Sequence, residues 1–408
     1  MQKTPKGMRT HIGIFGRRNV GKSSTLNVLV NQSVSIVSDT AGTTTDPVEK
    51  VMELLPLGPV IFIDTAGVDD IGSLGEMRVK KTKRAIDRTD IALIVTDGEW
   101  GEFEEKLCST LQASNVPIVA VFNKSDIVEH DTAILDDLAK KDIVSVKISA
   151  INNKSISLLR DTIVEQAPNA ALDEATIVSD LVPAGEIAVL VVPIDKEAPK
   201  GRLILPQVQS IRDLLDGDAI SLVVKERELQ TALKSLSKKP KLVITDSQAF
   251  LKVAGDTPDD IPMTSFSILF SRFKGDLAIQ SAGAAALSNL KSSDKILIAE
   301  SCSHKPICED IGRVKIPRWL TQFTGNKPEF EWVQGQDWPE DLSAYSLVIH
   351  CGACMFNRRA MMARIEKCKK ANVPVTNYGI AIAHSLGILE RALKPFPLAY
   401  SAYKEATE

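Results

Sequence analysis

The sequence predicts an α/β chain built of three successive units, in each of which short strands alternate with amphipathic helices. Three observations predict this. Short apolar runs recur along the chain, among them Thr10–Phe15, Val60–Ile63, Pro117–Phe122, Ile187–Val192, Leu242–Asp246, Phe266–Phe270, Lys295–Glu300 and Ser346–His350. Runs of this length and purity read as buried strands. Between them lie segments with helical spacing, such as Gln207–Leu215 and Glu228–Leu236, and strands alternating with helices give parallel sheets covered by helices. Finally, 408 residues exceed what one ordinary core serves. The linker-like stretch Pro168–Ala175 and a restart of the pattern after it divide the chain into 8–168, 177–265 and 266–408.

Composition narrows the class. Hydrophobic residues make up 44% and charged residues 25%, an ordinary globular balance. A net charge of −3 and a pI near 6.1 give no general attraction to nucleic acid or to an anionic membrane. No apolar run approaches the ~20 residues a membrane span requires, and the stretch from Met1 to Gly7 carries no signal-peptide core. Six cysteines in a chain of this length and character point to metal or redox chemistry, not a disulfide framework. The expectation is a cytoplasmic protein.

In the first unit, the strand Thr10–Phe15 runs directly into Gly16-Arg-Arg-Asn-Val-Gly21-Lys22-Ser23 and then a helical segment opening at Ser24. Strand, glycine loop and helix in that order form a phosphate cradle: backbone N–H groups point inward, Lys22 bridges the β- and γ-phosphates, and Ser23 holds Mg²⁺. Val60–Ile63 ends in Asp64-Thr-Ala-Gly67, where the Asp64 carboxylate suits the magnesium shell and the Gly67 N–H a γ-phosphate contact. Pro117–Phe122 ends in Asn123-Lys124-Ser125-Asp126. A carboxylate at Asp126 accepts from N1–H and the 2-amino group of guanine, a donor pair that adenine lacks. Ser149-Ala150 supplies a backbone loop for the guanine carbonyl. In this order the segments resemble the G1, G3, G4 and G5 motifs of P-loop GTPases. Gly42-Thr-Thr-Thr-Asp46 resembles switch I of the branch that holds the tRNA-modification and Era-like GTPases; there a threonine closes on Mg²⁺, here Thr44 or its neighbour Thr43. Val68 stands where Ras-like proteins carry a water-orienting glutamine. Asn19 matches the asparagine of potassium-activated members of the branch, which binds K⁺ beside the phosphates; the bland alternative is a turn residue tolerating left-handed backbone. The basic run Arg78–Arg84 reads as a solvated face.

The middle unit contains neither cysteine nor histidine. It reads as a small α/β dimerisation domain, in which the edge strand Ile187–Val192 pairs with its own copy in a homodimer.

The last unit carries Cys302-Ser-His304 after one strand run and His350-Cys351-Gly-Ala-Cys354 after another. Ligands bind α/β sheets in the crevice beyond the carboxyl ends of strands, so three thiols converge there in a metal-site pattern. Candidates for a fourth ligand are His304, His350, Cys308, Glu309 or water; His350 reads equally as core packing, because neighbouring strand residues face opposite ways. Cys108, Cys368 and His384 read as structural. Joined to the GTPase head, this C-x-H…H-C-x-x-C signature resembles the maturation GTPases of iron-iron hydrogenases, the HydF family, over the full length. The resemblance implies a 4Fe–4S cluster on Cys302, Cys351 and Cys354. It further implies a diiron precursor as cargo, received from two radical-SAM maturation enzymes and passed to apo-hydrogenase. Two alternatives stay open: the same ligands loaded with zinc, and an RNA-associated regulatory GTPase, which lacks an aromatic-basic platform here.

Overall fold

The computed structural model describes residues 4–31, 48–65, 81–149, 153–167, 176–193, 203–301 and 310–408. They fall into two compact units, Met1–Glu174 and Ala175–Glu408. Among the described residues the first holds six strands: β1 (Thr10–Phe15), β2 (Val48–Leu54), β3 (Gly58–Asp64), β4 (Ile91–Thr96), β5 (Ile118–Phe122) and β6 (Val144–Lys147). Their order is β2-β3-β1-β4-β5-β6. Only β2 runs antiparallel to its neighbour β3, and the other pairings are parallel. Every residue of β1, β4 and β5 is buried, as strands covered on both faces must be. Helices Lys22–Asn31 and Asn153–Glu165 flank the sheet on one side of the core, and Glu102–Ala113 and Thr132–Lys140 on the other.

Among the described residues the second unit contains two parallel four-stranded sheets. One holds β7 (Ile187–Val191), β8 (Ile220–Val224), β9 (Leu242–Thr245) and β10 (Met263–Ser265) in the order β10-β9-β7-β8. The other holds β11 (Lys295–Glu300), β12 (Glu329–Gln334), β13 (Leu347–His350) and β14 (Val375–Asn377) in the order β12-β11-β13-β14. One hydrophobic core runs through both sheets, from Ile177 and Val189 by way of Phe266 and Phe270 to Ile298, Ile349 and Tyr403.

Two local expectations are corrected. The short apolar run Phe266–Phe270, read as a strand, belongs to the helix Phe266–Lys274. Ser265 caps it, its hydroxyl accepting from the Ile268 N–H at 3.2 Å, and a burial pattern on several faces replaces strict alternation. The strand at 187 is no edge: β7 lies between β9 and β8, and the outer strand on that side is β8. A fully buried run was the sign of an interior strand; β8, with Ile220 and Val223 exposed, is the edge that reads weakly.

Candidate functional site

The first site forms where β1 ends and the chain turns into the helix Lys22–Asn31. Gly16 (φ 142°) and Gly21 (φ 96°) occupy backbone regions open to glycine. A Cβ on Gly16 would stand 2.2 Å from the Val95 carbonyl oxygen, and one on Gly21 2.2 Å from Asn123 Nδ2. Asn19 adopts φ 64°, the left-handed geometry asparagine tolerates. The Lys22 ammonium points into the loop and donates to the Gly16 carbonyl at 2.9 Å and to that of Arg17. Ser23 Oγ donates to Asp64 Oδ2 at 2.7 Å, so the two side chains read as magnesium ligands meet, one from the first turn of the helix Lys22–Asn31 and one from the end of β3. Burial raises the Asp64 pKa, opposed by the Ser23 hydrogen bond and by Lys22. Ser24 is exposed in the first helical turn.

The base side of the site is assembled from the carboxyl ends of β5 and β6. Asn123 is buried; its backbone N–H donates to Thr96 O at 2.7 Å and its Nδ2 to Val20 O at 3.0 Å. That second bond ties the base loop to the phosphate loop. Lys124 pairs with Asp97 at 2.8 Å, Ser125 N–H donates to Ile148 O at 3.0 Å, and Ser149 N–H to Ser155 Oγ at 3.1 Å. Asp126 is left exposed at the loop tip. Thr44, Gly67 and Ala150 lie outside the described residues. Sequence reasoning assigned nothing to Arg17, yet it joins Glu99 at 2.6 Å and the buried Glu104 at 2.8 Å. Glu104 Oε2 also accepts from the Gly101 N–H at 3.0 Å, at the start of the helix Glu102–Ala113. Contacts between residues so far apart in sequence leave no local signal.

The second site lies in the other unit. β11 connects to β12 on one side while β13 and β14 lie on the other, so the neighbouring ends of β11 and β13 mark the reversal where such sheets bind ligands. The Cys351 N–H donates to Ala299 O at 2.9 Å. Cys351 Sγ accepts from the Ser301 N–H at 3.1 Å and its thiol donates to Ser301 Oγ at 3.3 Å. Cys354 follows in the turn before the helix Arg358–Lys370, which Asn357 caps. Both cysteines are half-buried. Burial and the nearby Cys351 push the Cys354 thiol up to about 11. Two crowded thiolates of this kind become favourable once a cation joins them, so the donor set fits a thiolate-bound metal. Cys302, His304, Cys308 and Glu309 lie outside the described residues, and among those described no group of three His, Cys, Asp or Glu side chains is placed to hold a metal.

His350, a candidate ligand from its position beside Cys351, faces the other way. Its Nδ1–H donates to Cys351 O at 2.9 Å and its Nε2 accepts from Arg364 at 2.8 Å. The ring stands between Trp338 and Phe356. Burial, then the Arg364 charge, lowers its pKa to about 3. Both nitrogens are engaged, so the expectation of a ligand gives way to that of a neutral core histidine. Cys108 and Cys368 are buried with thiols pushed up to about 12, and His384 bonds Ser288 and Tyr403.

Comparison with known proteins separates head from tail. The family described as 50S ribosome-binding GTPase matches residues 11–124. GTPase Der of Wolinella succinogenes is 32% identical over 180 residues, 41% of this chain and 38% of that one. GTPase Era of Crocosphaera subtropica is 30% identical over 171 residues, 40% of this chain and 54% of that one. The chain thus spans about two fifths of the length of that Der relative and about half that of Era. A crystal structure of an Era variant from Aquifex aeolicus with GDP and aluminium fluoride shares 23% identity, covers 53% of this chain and 93% of that one, and has a TM-score of 0.34. The head matches a GTPase domain and is similar in sequence to Der and Era. Beyond it, the Hydrogen maturase F dimerization domain matches residues 177–275 and the Hydrogen maturase F tetramerization domain residues 278–395. The chain belongs to the Hydrogen maturase F family, and its head is a GTPase domain. Among the described residues no helix is long and apolar enough to cross a membrane.

Proposed function

We propose that the protein is a GTP-switched carrier whose last domain holds a 4Fe–4S cluster on Cys302, Cys351 and Cys354. The observation that carries this reading is the 3.1 Å bond from the Ser301 N–H to Cys351 Sγ. Ser301 is bonded covalently to Cys302, so the strand that leads to the first thiol ends against the second. A four-iron cluster held by three thiolates supplies one iron with an exchangeable ligand, which suits temporary attachment of cargo. Glu309 and His304 remain candidates for that position. Ser301 positions Cys351 through its hydrogen bonds, and the half-buried turn limits access of water to both thiols.

At the other site, Lys22 neutralises phosphate charge, Asp126 selects guanine, and Ser23, Asp64 and Thr44 complete the Mg²⁺ shell, with Gly67 as a γ-phosphate contact. Asn19 binds K⁺ in this reading, and the test is GTP turnover in potassium against sodium at equal ionic strength. Nucleotide state changes the affinity of switch segments for partner proteins. Those partners are two radical-SAM maturation enzymes, which supply the diiron cargo, and the apo iron-iron hydrogenase that receives it in the cytoplasm. The middle domain forms a homodimer, and its exposed edge β8 is the strand that fits such pairing.

Anaerobic reconstitution with iron and sulfide tests the carrier. The wild type should turn brown with about four irons per chain, and Cys351→Ser should lose that absorbance. A colourless protein that instead takes up one zinc per chain refutes the cluster reading.

A further inference from the structure

We propose that Arg17 is a positioning residue of the nucleotide site: gripped by Glu99 and Glu104, it holds the phosphate loop in the shape that receives a nucleotide and so sets the affinity, not the rate, of GTP turnover. The inference rests on the reading of Gly16–Ser23 as the phosphate loop and is independent of the carrier reading. Its basis is the segment that runs from the end of β4 into the helix Glu102–Ala113, because that segment touches both halves of the site. At its start the Thr96 carbonyl accepts from the Asn123 N–H at 2.7 Å, and Asp97 pairs with Lys124 at 2.8 Å. In its middle the Trp100 ring stacks on Phe122, at the end of β5, with centroids 5.9 Å apart. These contacts hold the segment to the base loop. Further along, Glu99 and Glu104 hold the Arg17 guanidinium of the phosphate loop.

Thr96 Oγ1 donates to the Glu99 carbonyl at 2.6 Å and accepts from the Gly98 N–H at 3.2 Å, which fixes the turn that presents Glu99. Arg17 Nη1 then meets Glu99 Oε2 at 2.6 Å and Nη2 meets Glu104 Oε2 at 2.8 Å. The two carboxylates differ in setting: the Glu99 side chain is 78% exposed and that of Glu104 1%. Glu104 Oε2 also accepts from the Gly101 N–H, while Oε1 is buried with no hydrogen-bond partner among the described residues. A buried carboxylate satisfied on one oxygen depends on its guanidinium, because removing that partner strands the charge. A Cβ on Gly101 would come 3.2 Å from Arg17 Nη2, so this glycine leaves the guanidinium room. On the phosphate loop itself, the Arg17 carbonyl accepts from the Lys22 ammonium at 2.5 Å. The grip therefore anchors the residue whose backbone holds Lys22. A loop ordered beforehand loses less conformational freedom when phosphates bind. That gain is the same in the ground and transition states, so it falls on KM and leaves kcat alone.

The test is GTP turnover by the full-length protein at saturating Mg²⁺, with Arg17→Met, Arg17→Lys and the double variant Arg17→Met/Glu104→Gln, and thermal unfolding of each alongside. Arg17→Met should raise KM about tenfold, the scale of one lost hydrogen bond to a charged group, and leave kcat within about twofold. Arg17→Lys, which keeps the charge, should recover most of that rise. The double variant should be no worse than Arg17→Met, since the single change strands the Glu104 charge and the double removes it. A wild-type KM in Arg17→Met, whatever its melting temperature, overturns the inference, and so does a fall in kcat at unchanged KM. If Arg17→Met does not fold, the double variant decides: a raised KM supports the grip, and a wild-type KM overturns it. Wild type that does not hydrolyse GTP would defeat the nucleotide reading itself, before any variant is compared.

Discussion

Replacing Asn123 by alanine should weaken GTP and GDP alike. In the structure Asn123 Nδ2 donates to the Val20 carbonyl at 3.0 Å, and the side chain lies against Gly21, where even a Cβ would come within 2.2 Å of the amide nitrogen. The substitution deletes the donor, leaves the Val20 carbonyl without it, and opens space beneath the phosphate loop. An orphaned buried acceptor costs about 1–3 kcal/mol. The bond joins the loop that reads the base to the loop that holds the phosphates, so its loss frees both loops and binding must order them again. If the whole penalty reaches the bound state, Kd rises roughly 5- to 150-fold, since about 1.4 kcal/mol is a factor of ten. The effect should be equal for the two nucleotides because the contact is remote from the position of a γ-phosphate. Titration with fluorescent GTP and GDP analogues, at fixed Mg²⁺, measures both constants. A change below twofold would refute the coupling of the loops, and so would a loss confined to GTP.

Other expectations follow from single contacts. Asp126→Asn should move preference from guanine to xanthine nucleotides, since the amide offers a donor to the 2-oxo group where the carboxylate accepted from the 2-amino group; competition between GDP and XDP checks it. His11 is buried with its pKa lowered to about 3, first by burial and then by Arg88 and Lys6. An unfolded histidine titrates near 6.5, so the unfolded chain binds the extra proton as pH falls below that value. The nucleotide unit should then lose stability at up to ~1.4 kcal/mol per pH unit, fully retained above about pH 6.5. Hydrogen exchange in β1 at pH 7.5 and 5.0, corrected for intrinsic rates, should show this in the wild type and less of it in His11→Val. Arg364→Met should destabilise the second unit by about 2–4 kcal/mol. Arg364 lies 4.6 Å from the Trp338 ring and 4.5 Å from the Phe356 ring, and donates to Gly335 O and His350 Nε2; urea unfolding followed by tryptophan fluorescence would read the change.

Much of the nucleotide site was legible because its parts are local. A glycine loop needs a strand before it and a helix after it, and Gly16 to Ser24 contain all of that within one stretch. Asn123, Lys124 and Asp126 likewise sit on consecutive residues at a strand end. The thiol site was legible only as two pieces, after Lys295–Glu300 and after Ser346–Ile349; neighbouring parallel strands β11 and β13 place the second piece against Ser301. His350 was ambiguous in sequence because alternation sets its face but cannot name what it meets, and Arg364 decided the matter from the next helix. The run at Phe266 misled because strand-rich side chains were outweighed by the Ser265 cap and by burial on several faces.

The order of residues alone determined the phosphate cradle, the preference for guanine and the presence of cysteines at strand ends, since each depends on chemistry within a few residues. Tertiary structure alone decided which strand is a free edge, that Arg17 answers to Glu104, and that Arg364 engages the His350 ring. Those are contacts between segments distant along the chain, and they arise only when helices and sheets close over a common core.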